Sequence, residues 1–542
     1  MYVDTSTRKG HTRYLLRESF REEGKVRHRT IANISSCSEE EIAAIKLALK
    51  HKGDLAHLVS IEDIKTVQGL RIGAVYSLKV IADRIGLTGA LGYDRQGKLA
   101  LWQVLARLMA QQSRLSAVRL AESHAACDVL GLDGFNEDHL YYNLAWLAER
   151  QEVIEKRLFQ HRYGSTPPQL FLYDVTSSYL EGVDNILAAF GYNRDGKEGK
   201  MQLVIGLLTG SEGAPVAVQV FAGNTSDKKT VPEQIRILAE SFGVSGVTLV
   251  GDRGMLKQPQ IDLLDQEQFH YITAITKPQV EKLLREGVFQ MELFEEKLAE
   301  VTDDGVRYIL RRNPERAREL ASSREAKLAK VRILLNQKNL YLAGHPRARV
   351  AIAVRDIQKK IEQLKIENWA RVESREPILE LVVNDVALKE AAELDGCYVI
   401  KTDLPAEMAS AKTVHDRYKD LAEVERAFRT FKNGHLEVQP TFVRTEPSTR
   451  GHVFVVMLAY LVERELEQYW RGLDTTVAEG IDELGSLRGI ELTLGQATCQ
   501  TVPEPTGLTK QLLDAADIRL PQVLPLRKIH VATRKKLVSE RN

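Results

Sequence analysis

The sequence predicts an α/β protein in which a mixed sheet flanked by helices is interrupted by a long insertion. Three observations lead to this prediction. Short apolar segments alternate with helical periods over residues 169–275, residues 60–162 repeat apolar side chains at helical spacing, and residues 281–405 begin with a highly charged helical stretch. At 542 residues the chain is also too long for one ordinary core. We therefore expect several segments, with a small β-hairpin and a helical N-terminal domain preceding the sheet.

Composition narrows the class of protein. Hydrophobic residues make up 44% of the chain and charged residues 27%, which is typical of a globular protein that is neither disordered nor embedded in a membrane. We find no apolar run long enough to span a bilayer and no signal sequence, so we expect a cytoplasmic protein without a membrane partner. The four cysteines show no CxxC spacing, so neither a zinc module nor a disulfide framework is predicted.

Residues 1–60 form the first predicted segment, a basic module. Apolar alternation over residues 13–31, with a turn at Glu23-Gly24-Lys25, predicts a small β-hairpin. Ser38, followed three residues later by Glu41, predicts a capped helix start. The segment should therefore contain a hairpin and one helix.

Lysine and arginine concentrate at both ends of a chain whose formal net charge is only +1. Such clusters fit contact with DNA phosphates, and they fit an ordinary solvated surface about equally well. The residues concerned are Arg8, Lys9, Arg13, Arg17, Arg21, Lys25, Arg27 and Arg29 near the N-terminus and Arg527, Lys528, Arg534, Lys535, Lys536 and Arg541 near the C-terminus.

Residues 61–165 form the predicted helical DNA-binding domain. One apolar stripe contains Leu99, Trp102 and Leu105, and similar stripes precede and follow it. The pattern is compatible with a helix-turn-helix without being specific to one. Glycine, serine, threonine and two prolines at residues 163–168 mark the end of the domain.

Residues 166–280 give the first part of the predicted sheet. The first three of its strands follow one another closely and are expected to be antiparallel, whereas a helix precedes each of the last two. This order is the layout of a ribonuclease H-like core. The predicted strands cover residues 169–174, 201–209, 214–221, 246–251 and 271–275.

The second half of the chain completes this plan. Residues 316–335 and 350–366 predict an antiparallel helix pair, and residues 412–432 and 453–466 predict two further helices. The predicted segments are an insertion (281–405), the second part of the core (406–475) and a C-terminal region with a basic tail (476–542).

Three acidic residues stand out as candidate metal ligands. Asp174 ends the first core strand, Asp252 ends the fourth, and Glu425 lies on the helix that follows the insertion. An unpaired charge is costly to bury, so a carboxylate at the end of an apolar strand needs a reason. A single aspartate there is more often a turn cap, and a single helical glutamate more often a surface ion pair. Together, on adjacent strands and a helix packed across them, they would suit a hard divalent cation.

The segment around Glu425 has a further pattern. Leu421, Glu425 and Lys432 follow Tyr418 by three, seven and fourteen residues, close to one face of an α-helix. A tyrosine, a carboxylate and a lysine are therefore expected to project together.

These residues resemble the DDE transposases of bacterial insertion sequences whose glutamate lies in a Y-x2-R-x3-E-x6-K signature. Tyr418, Glu425 and Lys432 match that signature, but Leu421 stands where the family has arginine. The resemblance is dense over about residues 170–280 and 390–465. Its other motifs are Tyr-Asp-Val-Thr at 173–176, Gly-Tyr-Asn-Arg-Asp-Gly-Lys at 191–197, Gly-Asn-Thr-Ser-Asp at 223–227, Gly-Asp-Arg-Gly-Met at 251–255 and Gly-His-Val-Phe at 451–454.

The resemblance implies a transposase that binds terminal inverted repeats in double-stranded DNA and moves the element by cut-and-paste strand transfer into target DNA. It also implies two Mg²⁺ ions, for which Mn²⁺ would substitute. Asp174 would bridge both ions, and Asp252 and Glu425 would each complete one coordination shell. A homodimer is implied as well, because two ends must be held together.

The same resemblance implies DNA contacts. Tyr418 and Lys432 would contact phosphates near the cleaved end, Arg426 or Arg429 would supply the charge that Leu421 lacks, and Arg253 would lie beside the acids. Trp369 in the insertion would either receive a flipped base or, as a lone tryptophan near a helix end more often does, pack internally.

Two other functions fit part of this pattern. One is a ribonuclease H-fold nuclease that cleaves DNA without joining strands. The other is a catalytically silent, domesticated DNA-binding protein, which the presence of all three acids disfavours.

Overall fold

The structure is a computed structural model that describes residues 1–8, 11–53, 65–182, 184–192, 194, 196–375, 378–433, 436–494, 497–524, 529, 531 and 533. Contacts group the chain into two compact units. The first contains residues 1–77, 121–133 and 480–530, and the second contains residues 78–120, 134–479 and 531–542. The predicted helical segment 61–165 contributes to both units. The division of the chain into six segments therefore remains a prediction. No helix in the described part of the chain is long and apolar enough to cross a membrane.

The N-terminal residues form an antiparallel sheet of three strands, β1 (Tyr2–Arg8), β2 (His11–Glu22) and β3 (Lys25–Asn33). Glu23 and Gly24 join β2 to β3 with φ angles of 52° and 76°, and two positive φ angles in succession are typical of a type I′ turn. The predicted hairpin is therefore present, but β1 extends it to three strands, which corrects the prediction.

The capped helix predicted after this sheet is α1 (Glu39–Lys50). The Ser38 hydroxyl accepts a hydrogen bond from the Glu41 N–H, and the Glu41 carboxylate accepts one from the Ser38 N–H, at 3.2 and 2.7 Å. This reciprocal capping box satisfies two backbone donors that a helix start would leave unpaired.

Strand β4 (Lys65–Arg71) precedes the helices of residues 73–163, which lie in the predicted helical domain. Asp94 caps one of them by accepting a hydrogen bond from the Gly97 N–H at 2.8 Å. The helices are α2 (Gly73–Arg84), α3 (Leu87–Leu91), α4 (Arg95–Met109), α5 (Arg114–Ser123), α6 (Ala126–Leu130) and α7 (Glu137–Tyr163).

A mixed sheet forms the centre of the second unit, which confirms the predicted class. Its first strands are β5 (Leu170–Tyr179), β6 (Gln202–Gly210), β7 (Pro215–Ala222), β8 (Thr248–Gly251) and β9 (His270–Ala274). Strands β5, β6 and β7 are antiparallel neighbours, whereas β8 is parallel to both β5 and β9. The spatial order is β7-β6-β5-β8-β9. The helices of this part are α8 (Val231–Arg236), α9 (Gln258–Gln266) and α10 (Lys277–Arg285).

The insertion extends this sheet instead of only interrupting it. Its elements are β10 (Ala299–Asp303), β11 (Val306–Arg312), α11 (Pro314–Gly344), α12 (Val350–Gln363), β12 (Ala370–Arg375), β13 (Ile378–Val383), α13 (Asp385–Glu393) and β14 (Cys397–Thr402). Strand β14 pairs antiparallel with β9, and β11 and β10 follow, so the described residues give one sheet of eight strands. Helices α11 and α12 form the predicted pair and share an apolar cluster with β12 and β13.

Helices α14 (Ala411–Lys419), α15 (Leu421–Asn433) and α16 (Glu446–Trp470) follow the insertion. Residues 412–432 were predicted as one helix, but the helix is broken at Asp420, which corrects that prediction. Residues 453–462 of α16 are apolar on all sides and buried, and the helix packs against α4, α7 and β7. A Cβ atom added to Gly451 would lie 2.0 Å from the Leu144 carbonyl oxygen, so α16 and α7 approach too closely there for any side chain.

The C-terminal region has more structure than its weak pattern predicted. Its elements are α17 (Val477–Ser486), β15 (Arg488–Leu494), β16 (Ala497–Thr501), α18 (Gly507–Ala515) and β17 (Val523–Leu524). In the first unit, β15 pairs antiparallel with both β4 and β16, and β17 completes a sheet in the order β17-β16-β15-β4. Beyond Leu524 the structure describes only residues 529, 531 and 533, so the predicted basic tail with its arginines and lysines lies outside the described residues.

Helix α7 covers the edge strand β7 with two side chains. Gln151 donates to the Val218 carbonyl oxygen at 2.5 Å, and Glu155 accepts from the Val218 N–H at 3.1 Å. The pair satisfies backbone groups that an edge strand would otherwise expose for pairing with another chain. Burial raises the pKa of Glu155 to about 8, because the side chain is removed from water.

We expect Glu155→Gln to stabilise the fold in alkaline solution. The folded pKa of Glu155 lies above its unfolded value of 4.5, so the stability that it supports falls as pH rises from about 4.5 to about 8. Glutamine carries no charge, so the variant should gain on the order of 2–4 kcal/mol relative to wild type above pH 8 and nothing near pH 4. Urea unfolding at several pH values measures this, with exposed Glu149→Gln on the same helix as control. Equal pH dependence in wild type and Glu155→Gln would contradict it.

Candidate active site

Two of the predicted acids lie side by side because of strand pairing. Strands β5 and β8 are parallel, and Tyr173 on β5 faces Gly251 on β8. Asp174 is the next residue of β5, and Asp252 directly follows the last residue of β8. Because β5 continues to Tyr179, the prediction that Asp174 ends its strand is wrong: the residues after it still pair with β6. The buried segment before each acid fixes the register, since a slip of one residue would turn every side chain to the opposite face.

The third predicted acid, Glu425, reaches the same place from helix α15. Val424, Ala427 and Phe431 are fully buried on one stripe of this helix, which packs against β5. This amphipathic pattern leaves Glu425 exposed on another face.

A cleft of about 740 Å³ brings the three acids together. Asp174, Asp252 and Glu425 all line it, as do Tyr418 and Leu421. The opposite wall comes from the insertion. The cleft therefore lies between the middle of β5 and the end of β8 on one side and the insertion helices on the other.

Negative charge accumulates in the cleft where β5 and β8 lie side by side. The pKa of Asp174 is raised to about 7, chiefly by burial and also by the negative charges of Asp252 and Glu425. Hydrogen bonding from the Val175 N–H at 2.7 Å and the positive charge of Arg194 act in the other direction. The mutual repulsion shows that the three carboxylates are close enough to interact, and a bound cation would relieve it.

Tyr418 contacts one of these acids directly. Its hydroxyl donates a hydrogen bond to Asp252 Oδ1 at 3.3 Å. Burial raises the pKa of the Tyr418 phenol above its usual value, and the charge of Asp252 adds to the effect. The phenol therefore stays protonated and remains a donor at neutral pH.

The donor set fits a hard divalent cation, but it is incomplete. All three candidate ligands offer oxygen, which Mg²⁺ and Mn²⁺ prefer. Among the described residues, no group of three or more His, Cys, Asp or Glu side chains is arranged as a ready metal cage. Asp252 and Glu425 are exposed in the cleft. This openness suits ions that keep waters and substrate phosphates as ligands, whereas a closed structural site would need a full protein ligand set.

The predicted DNA-contacting residues divide into two groups. Arg253, Tyr418 and Trp369 line the cleft. Trp369 is also only 5% exposed and belongs to the apolar cluster of the insertion, which fits the packing alternative. Lys432, Arg426 and Arg429 do not line the cleft.

The positions of that second group have physical reasons. Lys432 lies two helical turns beyond Glu425, roughly 10 Å along α15. Arg426 forms an ion pair with Glu467 on α16, and Arg429 is exposed. The break at Asp420 puts Tyr418 on α14, so the predicted single helical face does not exist as such.

Sequence reasoning missed the cations on the insertion wall. Arg316, Leu320, Ser323 and Lys327 follow one another by four, three and four residues, so one face of α11 lines the cleft. Lys365, at the end of α12, lines it too. The helical spacing of Arg316 and Lys327 is visible in the sequence, but nothing in the sequence says which way that face points.

Lys365 has an unusual backbone conformation. Its φ of 55° lies in the left-handed region, at the position after a helix where glycine is usual. A lysine there costs about 1 kcal/mol relative to a residue without Cβ strain. In this conformation the Lys365 side chain is exposed and lines the cleft.

Comparisons with known proteins agree with this site. The family model described as "Transposase DDE domain" matches residues 165–462. A second model, "IS1634 family transposase, N-terminal domain", matches residues 3–57. No curated protein matches the chain. Among solved structures, a cryo-EM structure of the piggyBac transposase synaptic complex with hairpin DNA aligns with 71% of this chain and 69% of its own, at 7% identity and a TM-score of 0.37. At that TM-score the likeness carries no argument about this chain.

Proposed function

Since the chain belongs to the DDE transposase family, whose domain model covers more than half of it, we propose that Asp174, Asp252 and Glu425 are its catalytic metal ligands. The chain is an insertion-sequence DNA transposase, an enzyme that uses divalent metal to cleave DNA and transfer strands. The observation that carries the proposal is that the three acids line one cleft, where burial and the charges of Asp252 and Glu425 raise the pKa of Asp174.

The finer mechanism in this proposal is a two-metal one on a ribonuclease H-like core. The strand order β7-β6-β5-β8-β9, with Asp174 inside β5 and Asp252 directly after the neighbouring β8, supports that fold. Asp174, Asp252 and Glu425 would together hold two Mg²⁺ ions, for which Mn²⁺ would substitute. Activation of the attacking water or 3′-hydroxyl and stabilisation of the departing oxygen are the chemistry that such ions supply when bound.

Protein groups around the acids would orient them. The Tyr418 hydroxyl holds the Asp252 carboxylate through its hydrogen bond, and the buried apolar stripe of α15 fixes where Glu425 can point. Reacting groups positioned in advance need less rearrangement in the transition state. Tyr418 is thus a positioning residue in this proposal.

The substrate in this proposal is the double-stranded terminal repeat of the element, held in the cleft by cations. Arg253 lies beside the acids, and Arg316, Lys327 and Lys365 lie on the insertion wall. This wall would supply the positive charge that Leu421 does not. Arg324 also lines the cleft, but Asp395 engages it in two hydrogen bonds, so its charge is partly neutralised. A homodimer on DNA, with one cleft for each end, completes the proposal.

We expect Lys365→Gly to separate stability from DNA binding. Glycine relieves the left-handed backbone, so the free energy of unfolding should stay unchanged or rise by up to about 1 kcal/mol. Loss of the charge should weaken binding to a terminal-repeat duplex about three- to tenfold and make it less sensitive to salt. Fluorescence anisotropy at several salt concentrations, together with urea unfolding, measures both.

Gln268→Gly is the matched control for this experiment. Gln268 also has a left-handed φ, of 58°, but it lies outside the cleft and carries no charge. Its variant should keep full DNA binding. Weaker binding by Gln268→Gly, or unchanged binding by Lys365→Gly, would remove Lys365 from the proposed DNA contact.

Arg429→Ala tests the earlier assignment of the missing charge. Arg429 does not line the cleft, so we expect this variant to cleave terminal repeats within about twofold of wild type, as surface substitutions away from a site usually do. A Lys327→Ala variant should cleave less well because it removes charge from the insertion wall. A gel assay with labelled ends measures both variants. If Arg429→Ala cleaves less well than Lys327→Ala, Arg429 supplies the charge that Leu421 lacks.

The direct test of the proposed function is a cleavage and joining assay with purified protein. Wild type with Mg²⁺ should release a terminal-repeat end and join it to a target plasmid. Cleavage without any joining would instead favour a nuclease.

A further inference from the structure

A second groove, of about 380 Å³, lies beside the active-site cleft. It is lined by Tyr192 and Arg194 before β6, by residues 223–228 after β7, and by Gly254 and Lys257 after β8. These are three of the sequence motifs that matched the family, yet none of their groove-lining side chains has a role in the function proposed above.

Close backbone contacts hold the groove together. A Cβ atom on Gly191 would lie 2.1 Å from the Gly223 carbonyl oxygen, so the first two motifs touch at their glycines. The amide of buried Gln202 donates to the carbonyl oxygens of Tyr192 and Gly223, at 3.0 and 2.9 Å. Arg194 and Asp227 form an ion pair across the groove. The surface is thus fixed by contacts between all its parts except the β8 loop.

The groove has the chemistry of a DNA backbone site. The Tyr192 ring is 81% exposed, and the Arg194 guanidinium lies 5.7 Å from its centre. Lys228 and Lys257 are exposed, and neither forms an ion pair with another residue in the described part of the chain. An exposed aromatic ring among cations is the usual surface for nucleic acid, because the ring packs on sugars or bases while the cations hold phosphates.

The groove meets the cleft at a single loop. Asp252 and Arg253 line the cleft, whereas Gly254 and Lys257 line the groove, and the two share no lining residue. A DNA segment in the groove would therefore pass next to the acids without occupying the cleft.

We propose that this groove binds the phosphate backbone of target DNA while the cleft holds the element's own end. The inference rests on the proposed function, because joining brings two DNA segments to one set of acids. In that step the 3′-hydroxyl of the end attacks a target phosphorus, a new phosphodiester bond forms, and the target's own 3′-oxygen leaves with a proton.

The test compares joining with cleavage in the full-length protein. For Lys228→Ala/Lys257→Ala and for Tyr192→Ala, we expect the target-plasmid concentration at half-maximal joining of a pre-cut end to rise about tenfold. Binding and cleavage of an uncut end should stay within about twofold of wild type. The matched controls are Tyr142→Ala, which removes an equally exposed ring from α7, and Lys282→Ala, which removes an exposed lysine from α10.

Cross-linking gives a second measurement that does not depend on variant activity. A photoreactive phenylalanine at position 192 should cross-link to a labelled target duplex in the presence of a bound end. Cross-linking to the end duplex alone would overturn the proposal.

If the groove variants lose cleavage and joining equally, the groove binds the element's end. If their joining is unchanged, the groove does not contact DNA. Either result overturns the proposal. Failure of the proposed function is distinguishable, because wild type itself would then neither cleave nor join.

Discussion

Asp174→Asn is expected to abolish DNA cleavage and joining while making the metal-free protein more stable. Burial and the charges of Asp252 and Glu425 raise the pKa of Asp174 to about 7, so its charged form is costly in the folded state. Asparagine keeps the shape without the charge. Above pH 7 the variant should gain about 1–3 kcal/mol in the absence of metal, and the gain should vanish near pH 4, where aspartate is also neutral.

The loss of activity has a separate cause. Removing one of the three proposed metal ligands should forfeit at least about 4 kcal/mol of transition-state stabilisation, or roughly 10³-fold in rate. Binding to the terminal repeat should persist, since phosphate contacts and not metal ligands dominate affinity. Asp252→Asn and Glu425→Gln should show the same loss of activity.

Thermal unfolding with EDTA and with Mg²⁺ distinguishes the two effects. Mg²⁺ should raise the melting temperature of wild type but not of Asp174→Asn. Asp262→Asn, on the exposed face of α9, is the control and should behave as wild type. An Asp174→Asn protein that still cleaves with Mg²⁺ would remove Asp174 from the site.

Removing exposed charge from the N-terminal sheet is the second large expected effect. Arg13, Arg21 and Lys25 are exposed on β2 and β3, within the residues that match the family's N-terminal domain. If each contacts one phosphate, the triple alanine variant should reduce the slope of log affinity against log salt by about 2–3. End binding should weaken about 10- to 100-fold at moderate salt, as measured by anisotropy.

Two further proteins complete that experiment. A deletion of residues 1–35 removes all three strands and should weaken end binding at least as much as the triple variant. Lys282→Ala/Lys389→Ala, which removes exposed charge from α10 and α13, should keep the wild-type salt slope. An unchanged slope for both the triple variant and the deletion would show that this sheet does not contact DNA.

The strands of the central sheet were predictable because their signals are local. Apolar runs and the turns between them place β5 to β9. Asp252 directly follows the apolar strand β8, as predicted, whereas Asp174 lies inside β5, a strand that was predicted too short. Parallel pairing of β5 with β8 then brings those two acids together. The position of Glu425 in the same cleft followed from the helix pattern, although the helix was predicted too long.

What could not be predicted depends on contacts between distant residues. Strand β4 has no partner near it in sequence, since it pairs with β15 more than 400 residues later. The break at Asp420 involves neither proline nor glycine, the usual signals for a helix end. The addition of β14, β11 and β10 to the β9 edge depends on tertiary contacts that local patterns do not encode.

The wall of the cleft shows the same limit. Arg316 and Lys327 form a regular stripe in the sequence, yet a charged stripe on a helix normally faces solvent. Only the folded insertion turns that stripe towards the acids. The left-handed conformation of Lys365 could not be predicted either, because the sequence does not show where α12 ends.

The most direct measurement of the central claim, that Asp174, Asp252 and Glu425 hold metal together, is metal-directed cleavage of the protein itself. Fe²⁺ with ascorbate cuts a polypeptide close to where the iron is bound, and DNA activity is not needed. Wild type should be cut near residues 174, 252 and 425 together, excess Mg²⁺ should suppress all three cuts, and Asp174→Asn should lose them. Cuts elsewhere, or cuts near only one of the three residues, would contradict a shared metal site.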